Sequence, residues 1–342
     1  MNCMLKPVGE QTIVITGATS GIGLVTARKA ARRGAKLVLF ARNEAALNTL
    51  CEELRQHGDL AVAVAGDVGN LEDLQRAAAK AVETYGGFDT WINNAGVSIF
   101  GPASAVPLDD QRKLFDTNYW GVVHGSLVAA DHFRRKNDFH GGAIINMGSE
   151  ASDAPVPLQS AYVASKHAVK GFTDSLRLEM EGDHLPVSVT LIKPAAIDTM
   201  FVMHAKNYMN VEAKLPPPIY DPELVADAIL FAAAHPRRTL FVGGAAKFTS
   251  ASAYHAPRLF DRIASRLFWR SQRTDRPARP RDDNALYEPR HALHERAGMD
   301  GPVLRGCAYN TVVQRPKVAG ALALGAAALV VAALARARRA ST

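Results

Sequence analysis

The chain has 342 residues, 48% of them hydrophobic and 21% charged, with a formal net charge of +7. That size and mixture suit a folded protein with a sizeable core and exclude a globally disordered chain. Much of the excess arginine lies after residue 257, in Arg270–Arg273 and Arg276–Arg281; with no nucleic-acid module beside it, this reads as solvated surface, and no nucleic-acid partner is expected.

Residues 12 to 16 read as a short buried strand, followed by a glycine-bearing turn and a helix from about Gly23 to Arg33. Strands then alternate with helices: strand Lys36–Phe40, helix Glu44–His57, strand Ala61–Val64, helix Leu71–Tyr85 and strand Asp89–Ile92. The alternation continues through a helix near Asp110 to Phe133, strand Ala143–Met147 and helix Tyr162–Glu181. Strand Val187–Ile192, helix Pro222–Ala234 and strand Thr239–Val242 close it. Short apolar strands interleaved with helices of this length imply βαβ crossovers. The expected fold is therefore a Rossmann-like, doubly wound α/β domain of about seven parallel strands with helices on both faces, covering residues 1–250. Residues 251–316 form an extension. Within it Ala253–Trp269 has helical spacing, with Leu259, Phe260, Ile263, Leu267 and Phe268 on one face, and Arg273–Asn284 reads as linker. Residues 317–342 are an apolar run with a basic end.

The turn after the first strand reads Thr16-Gly17-Ala18-Thr19-Ser20-Gly21-Ile22-Gly23. Glycines there let backbone approach a pyrophosphate, and the helix N-terminus offers N–H donors and a favourable dipole. An acid after the second strand would bind an adenosine ribose, whereas a base accommodates a 2′-phosphate. Phe40-Ala41-Arg42-Asn43 has no acid and one arginine, which points to NADP(H) over NAD(H); an ordinary surface arginine is the alternative. Tyr162 and Lys166 stand four apart on an expected helix and share a face. A neighbouring ammonium favours the phenolate, lowering a pKa that is ordinarily about 10, although such a pair alone could arise by chance. Ser149, at a strand end upstream, is a hydroxyl able to hydrogen-bond a carbonyl as charge develops on it.

The cysteines Cys3, Cys51 and Cys307 are far apart and form no paired motif, which fits a reducing compartment. His291 and His294 could share a helix face, but no acidic or cysteine partner stands at ligand spacing, so no metal is expected. The only apolar run near the start, Thr12–Ile15, is too short for a secretory signal.

Taken together, these motifs resemble the short-chain dehydrogenase/reductase family, in its compact branch with the Tyr-x-x-x-Lys site. Thr16–Gly23 is similar to its cofactor turn, Asn93-Asn94-Ala95-Gly96 to its strand-four motif and Tyr162–Lys166 to its active-site motif; Ser149 stands thirteen positions before Tyr162, as the family's serine does. The resemblance covers residues 10 to 250. It implies a tetrad of Asn118, Ser149, Tyr162 and Lys166. It also implies cofactor contacts from Thr16, Gly17, Thr19, Ser20, Gly21, Ile22 and Gly23 in the turn, and from Asp67 and Val68 near the adenine. Further contacts would come from Asn94, Ala95, Gly96, Pro194, Ile197 and Thr199. Lys166 would bind the nicotinamide ribose and lower the Tyr162 pKa, Ser149 would orient the carbonyl, Tyr162 would transfer the proton and Asn118 would help hold a relaying water. A homodimer or homotetramer through the helices carrying Asn118 and Tyr162 is implied as well.

Two features depart from the family pattern. Pro194-Ala195 replaces the usual Pro-Gly, and Ala195 cannot adopt positive φ as cheaply as glycine. The extension after 250 has no counterpart. The loop Asp198–Tyr220 carries Phe201, Val202, Met203, Tyr208, Met209 and Pro216–Pro218, which suits an apolar ketone, a steroid-like alcohol or a lipid-derived carbonyl; packing of these residues onto their own domain is the alternative. A catalytically idle NADP(H)-binding sensor, or a membrane-recruited scaffold, is the rival class. Val318–Ala335 runs eighteen residues without a charge, and such a helix is about 27 Å long, just enough to cross a hydrocarbon core. The expectation is membrane association through this tail with the catalytic domain cytoplasmic, against an Ala-rich helix packed on protein or lying at a membrane surface.

Overall fold

The computed structural model describes residues 3–136, 140–299 and 301–314. Seven parallel strands form the main sheet: β1 (Thr12–Thr16), β2 (Lys36–Ala41), β3 (Ala61–Ala65), β4 (Thr90–Asn93), β5 (Gly142–Met147), β6 (Val187–Pro194) and β7 (Thr239–Val242). Their spatial order is β3-β2-β1-β4-β5-β6-β7. Successive side chains of β1 divide between two cores. Ile13 and Ile15 pack with α1 (Gly21–Ala31) and α2 (Glu44–Gln56), whereas Val14 packs with α3 (Leu71–Tyr85) on the other face. The period-two geometry of a strand covered on both sides explains the unbroken apolar run of β1. Each such residue, fully buried, contributes about 1.5–3 kcal/mol.

Helix entries follow local chemistry. Asn43 and Asn70 cap α2 and α3 by accepting from Ala46 and Glu72 N–H groups, and Gly86 closes α3 in the left-handed region at φ 81°. The long helix expected from Asp110 to Phe133 is α4 (Leu108–Phe115) and α5 (Gly121–Arg135) joined by one π turn, Asp116–Trp120. Asn118 lies in that turn; such bulges concentrate at functional sites. α6 (Ser160–Gly182) carries Tyr162 and Lys166. The strand order reverses between β1 and β4, so a crevice opens at their C-terminal ends.

The region beyond β7 differs from its sequence reading in three ways. The helical spacing resolves into α7 (Gly244–His255) and α8 (Pro257–Ser271), because the residue before Pro257 is sterically driven out of the helical region. The expected apolar face of α8 is split: Phe260 and Phe268 turn inward, while Leu259, Ile263 and Leu267 are exposed. Arg273–Asn284 is not a free linker. Its strand Arg273–Pro277 pairs antiparallel with Val211–Ala213 of the loop after β6, and Val303–Leu304 pairs with Ile219–Tyr220. Among the described residues no helix is long and apolar enough to cross a membrane. The run Val318–Ala335 lies outside them.

Candidate active site

The glycine turn is built so tightly that its backbone forms the floor of the crevice. Gly17 has φ +65°, and a Cβ there would sit 2.8 Å from the Ala95 Cα; at Gly23 it would sit 2.1 Å from the Gly17 carbonyl oxygen. Thr16 joins β1 to β4, its hydroxyl donating to the Ile92 carbonyl (3.2 Å) and accepting from the Asn94 N–H (2.9 Å). Asn94 Nδ2 in turn donates to the Thr16 and Gly17 carbonyls at 3.0 and 3.2 Å. A turn stripped of side chains at the N-terminus of α1 fits a dinucleotide's pyrophosphate. Thr199 packs against the same turn, 3.1 Å from where a Gly21 Cβ would stand. Thr16, Gly23 and Asn118 sit behind the cleft wall; the other residues expected at the site line one continuous cleft.

Asp67 bonds Lys113 at 2.9 Å and the Gly69 N–H, so its carboxylate is partly committed to holding its own loop. Ala195 is not among the residues with positive φ, and its N–H donates to the Val242 carbonyl at 2.9 Å. The loop after β6 therefore reaches the cleft without the conformation that glycine would permit.

Ser149, Tyr162 and Lys166 converge at one end of the cleft. Ser149 follows the end of β5, where its hydroxyl accepts from the Ala151 N–H (3.1 Å) and hydrogen-bonds the Tyr162 phenol. One turn further along α6, the Lys166 ammonium lies 5.7 Å from the Tyr162 ring centre and donates to the Met147 carbonyl at 2.8 Å. Asn118 Oδ1 and Lys166 Nζ both come within 4 Å of one point beside Gly96. The Asn118 amide is consumed by Val97, through its N–H (2.8 Å) and carbonyl (2.9 Å), and by Ser165 (3.1 Å), so it fixes the π turn rather than facing the cleft.

The electrostatic balance reverses one expectation. Burial pushes the Tyr162 phenol up to about 12 despite the Ser149 hydrogen bond, and burial pushes Lys166 down to about 8. Desolvation dominates both shifts, and the Lys166 ammonium, turned onto the Met147 carbonyl, does not offset it at Tyr162. Glu150 adds to the effect. Its carboxyl lies deep in the same cleft, raised to about 7 by burial against a hydrogen bond from Thr249, and its charge raises Tyr162 further. Nothing in the sequence reading singled out Glu150, although a charged residue directly after the strand-end serine was the available signal.

The apolar loop residues divide. Val202 and Met209 are buried in a small core with Phe100 and Ile219, whereas Phe201 stacks edge-on against Tyr162, with ring centres 5.3 Å apart. Phe201, Leu215, Pro216 and Phe268 line the cleft at this end. Tyr208 is tied by its hydroxyl to Asp110 at 2.5 Å, and Tyr287 reaches the same carboxylate at 2.8 Å. Phe268 and Tyr287 belong to the extension, which the family pattern gave no means to place.

Arg42 faces the cleft, but its guanidinium is engaged by the extension: Nη1 donates to the Leu286 and Tyr287 carbonyls at 3.2 and 2.7 Å, and Nη2 to the Ala285 carbonyl at 2.5 Å. Among the described residues no group of three or more His, Cys, Asp or Glu side chains could hold a metal ion.

Comparison with known proteins agrees with this geometry. The sequence profile described as short chain dehydrogenase matches residues 11–209. The chain is 45% identical over 322 residues to the uncharacterized oxidoreductase YxnA of Bacillus subtilis (strain 168), covering 94% of this chain and 90% of that protein. It is 33% identical to 11-beta-hydroxysteroid dehydrogenase-like 3 of Arabidopsis thaliana, over 58% of this chain and 62% of the relative. A Burkholderia phymatum short chain dehydrogenase/reductase solved in complex with NAD superposes with TM-score 0.65 at 27% identity, covering 79% of this chain and 98% of that one. An alcohol dehydrogenase from Thermococcus sibiricus, complexed with 5-hydroxy-NADP, gives TM-score 0.59 at 25% identity, over 68% of this chain and 95% of that one. A nicotinamide-dinucleotide cleft ending in Ser149, Tyr162 and Lys166 thus stands on a matching sheet and sequence, and the chain belongs to the short-chain dehydrogenase/reductase family of oxidoreductases.

Proposed function

We propose that the protein is an NADP(H)-dependent oxidoreductase interconverting an apolar alcohol and its carbonyl compound, with Asn118, Ser149, Tyr162 and Lys166 as its working residues. The observation that carries this reading is the meeting of Ser149, Tyr162 and Lys166 at an apolar cleft end, against Phe201. The nicotinamide cofactor supplies or accepts the hydride. Ser149 orients the carbonyl, and Tyr162, a neutral phenol at neutral pH, is set to donate a proton to the carbonyl oxygen. Lys166 holds the nicotinamide ribose hydroxyls, and Asn118 keeps the π turn in register beside it. The choice of NADP(H) is supported by the absence of an acid after β2. Phe201, Leu215, Pro216 and Phe268 support an apolar substrate. Val318–Ala335 supports attachment of the chain to a membrane, by its length and lack of charge.

The test is a panel of ketones, steroid alcohols and lipid-derived carbonyls followed by NADPH absorbance at pH 7 and pH 9, run beside Tyr162→Phe. The variant is expected to lose nearly all turnover and keep NADPH affinity near that of the wild type. A Tyr162→Phe enzyme with more than a tenth of wild-type kcat would remove Tyr162 from the role of proton donor.

A further inference from the structure

The extension crosses the cofactor end of the cleft as a strap. Its Leu293 N–H donates to the Thr19 carbonyl at 2.7 Å, and its His294 carbonyl accepts from the Gly21 N–H at 2.9 Å. These two bonds fall on the turn that receives the pyrophosphate, and they take up a free donor at the N-terminus of α1. The other end of the strap is held by Arg42 through the carbonyls of Ala285, Leu286 and Tyr287. Ion pairs fix it beyond, Arg28 with Glu295 at 2.8 Å and Arg296 with Asp221 at 2.9 Å, and within the strap the His291 ring hydrogen-bonds Asp283 at 3.1 Å.

Arg42 is thereby poorly placed to serve as the phosphate ligand that the sequence suggests. Three of its N–H groups are spent on carbonyls, and the charges of Asp67 and Glu288 act on what remains. Arg290 stands midway along the strap, three residues from the Arg42 anchor at Tyr287 and three from the turn anchor at Leu293. It lines the cleft and is exposed, and among the described residues its guanidinium makes no hydrogen bond or ion pair, Asp283 being close enough to act only through its field. A dinucleotide on the turn carries its adenosine 2′-position between the turn and the end of β2, the two places the strap connects.

We propose that Arg290, supplied by the C-terminal strap, is the ligand of the cofactor's 2′-phosphate, while Arg42 acts as the latch that holds the strap in place. A planar guanidinium with unspent donors matches a phosphate in charge and shape. The assignment deepens the proposed NADP(H) reading and rests on it.

Isothermal titration of NADPH and NADH against the full chain tests it without relying on turnover. Wild type is expected to bind NADPH more tightly than NADH. Arg290→Ala should weaken NADPH at least tenfold and NADH less than twofold, Arg290→Lys should recover part of the loss, and Arg42→Ala should weaken both cofactors alike by releasing the strap. If wild type prefers NADPH and Arg290→Ala leaves that preference unchanged, or weakens both cofactors equally, the assignment of Arg290 is overturned. If Arg42→Ala abolishes the NADPH preference and Arg290→Ala does not, the phosphate ligand is Arg42. If wild type shows no preference for NADPH, the NADP(H) reading itself falls, and the assignment with it.

Discussion

Replacing Glu150 with glutamine isolates the buried charge beside the Tyr162 phenol while keeping an acceptor for Thr249. Burial raises the Glu150 carboxyl from 4.5 to about 7. A group whose folded pKa lies above its unfolded value contributes stability that is complete below the unfolded value and is lost as pH rises through the folded one. A separation of about 2.5 units corresponds to about 3 kcal/mol in full, of which roughly 2 to 3 kcal/mol falls between pH 5 and pH 8. Wild-type protein should therefore lose that much more stability than Glu150→Gln over this interval, most of it between pH 5 and pH 7 and little above that. Urea denaturation at half-unit steps of pH, with fluorescence as the signal, measures the difference directly. Parallel stability profiles for the two proteins would refute the reasoning, since they would mean that the carboxyl ionises in the folded cleft as easily as in the open chain. The same substitution removes a charge that raises Tyr162, so the phenol should titrate at lower pH in the variant.

The π turn and the helices α5 and α6 leave Trp120, Leu127 and Leu178 exposed, and a dimer or tetramer is expected by light scattering at micromolar concentration. Leu178→Asp should lower that mass; a single-chain mass for the wild type would end the expectation. The full chain should remain with membranes after a carbonate wash, and a chain ending at Gln314 should be released. Equal release of both would exclude the uncharged run as an anchor.

The alternation of short apolar strands with helices was enough to read the doubly wound sheet, because a parallel strand buried on both faces leaves no polar positions in its sequence. The convergence of Tyr162 and Lys166 on the cleft was legible because they are neighbours on one helix, and a glycine turn carries its conformational demand in its composition. At Ala195, where alanine replaces the family's glycine, the backbone reaches the cleft without positive φ, in keeping with the cost that conformation carries for alanine. The spacing of Tyr162 and Lys166 reveals a nearby ammonium but neither the desolvation that raises the phenol nor the carbonyl that the ammonium is turned onto. The role of residues 272–299 was hidden more completely. Arg42 and Leu286 are 244 positions apart, and the bonds that draw the strap over the cleft go mainly to backbone carbonyls, which every residue possesses. Local sequence pattern records what a segment does with its own neighbours. Which distant carbonyl occupies an arginine, and which arginine is thereby left free, is decided only when the chain has closed on itself.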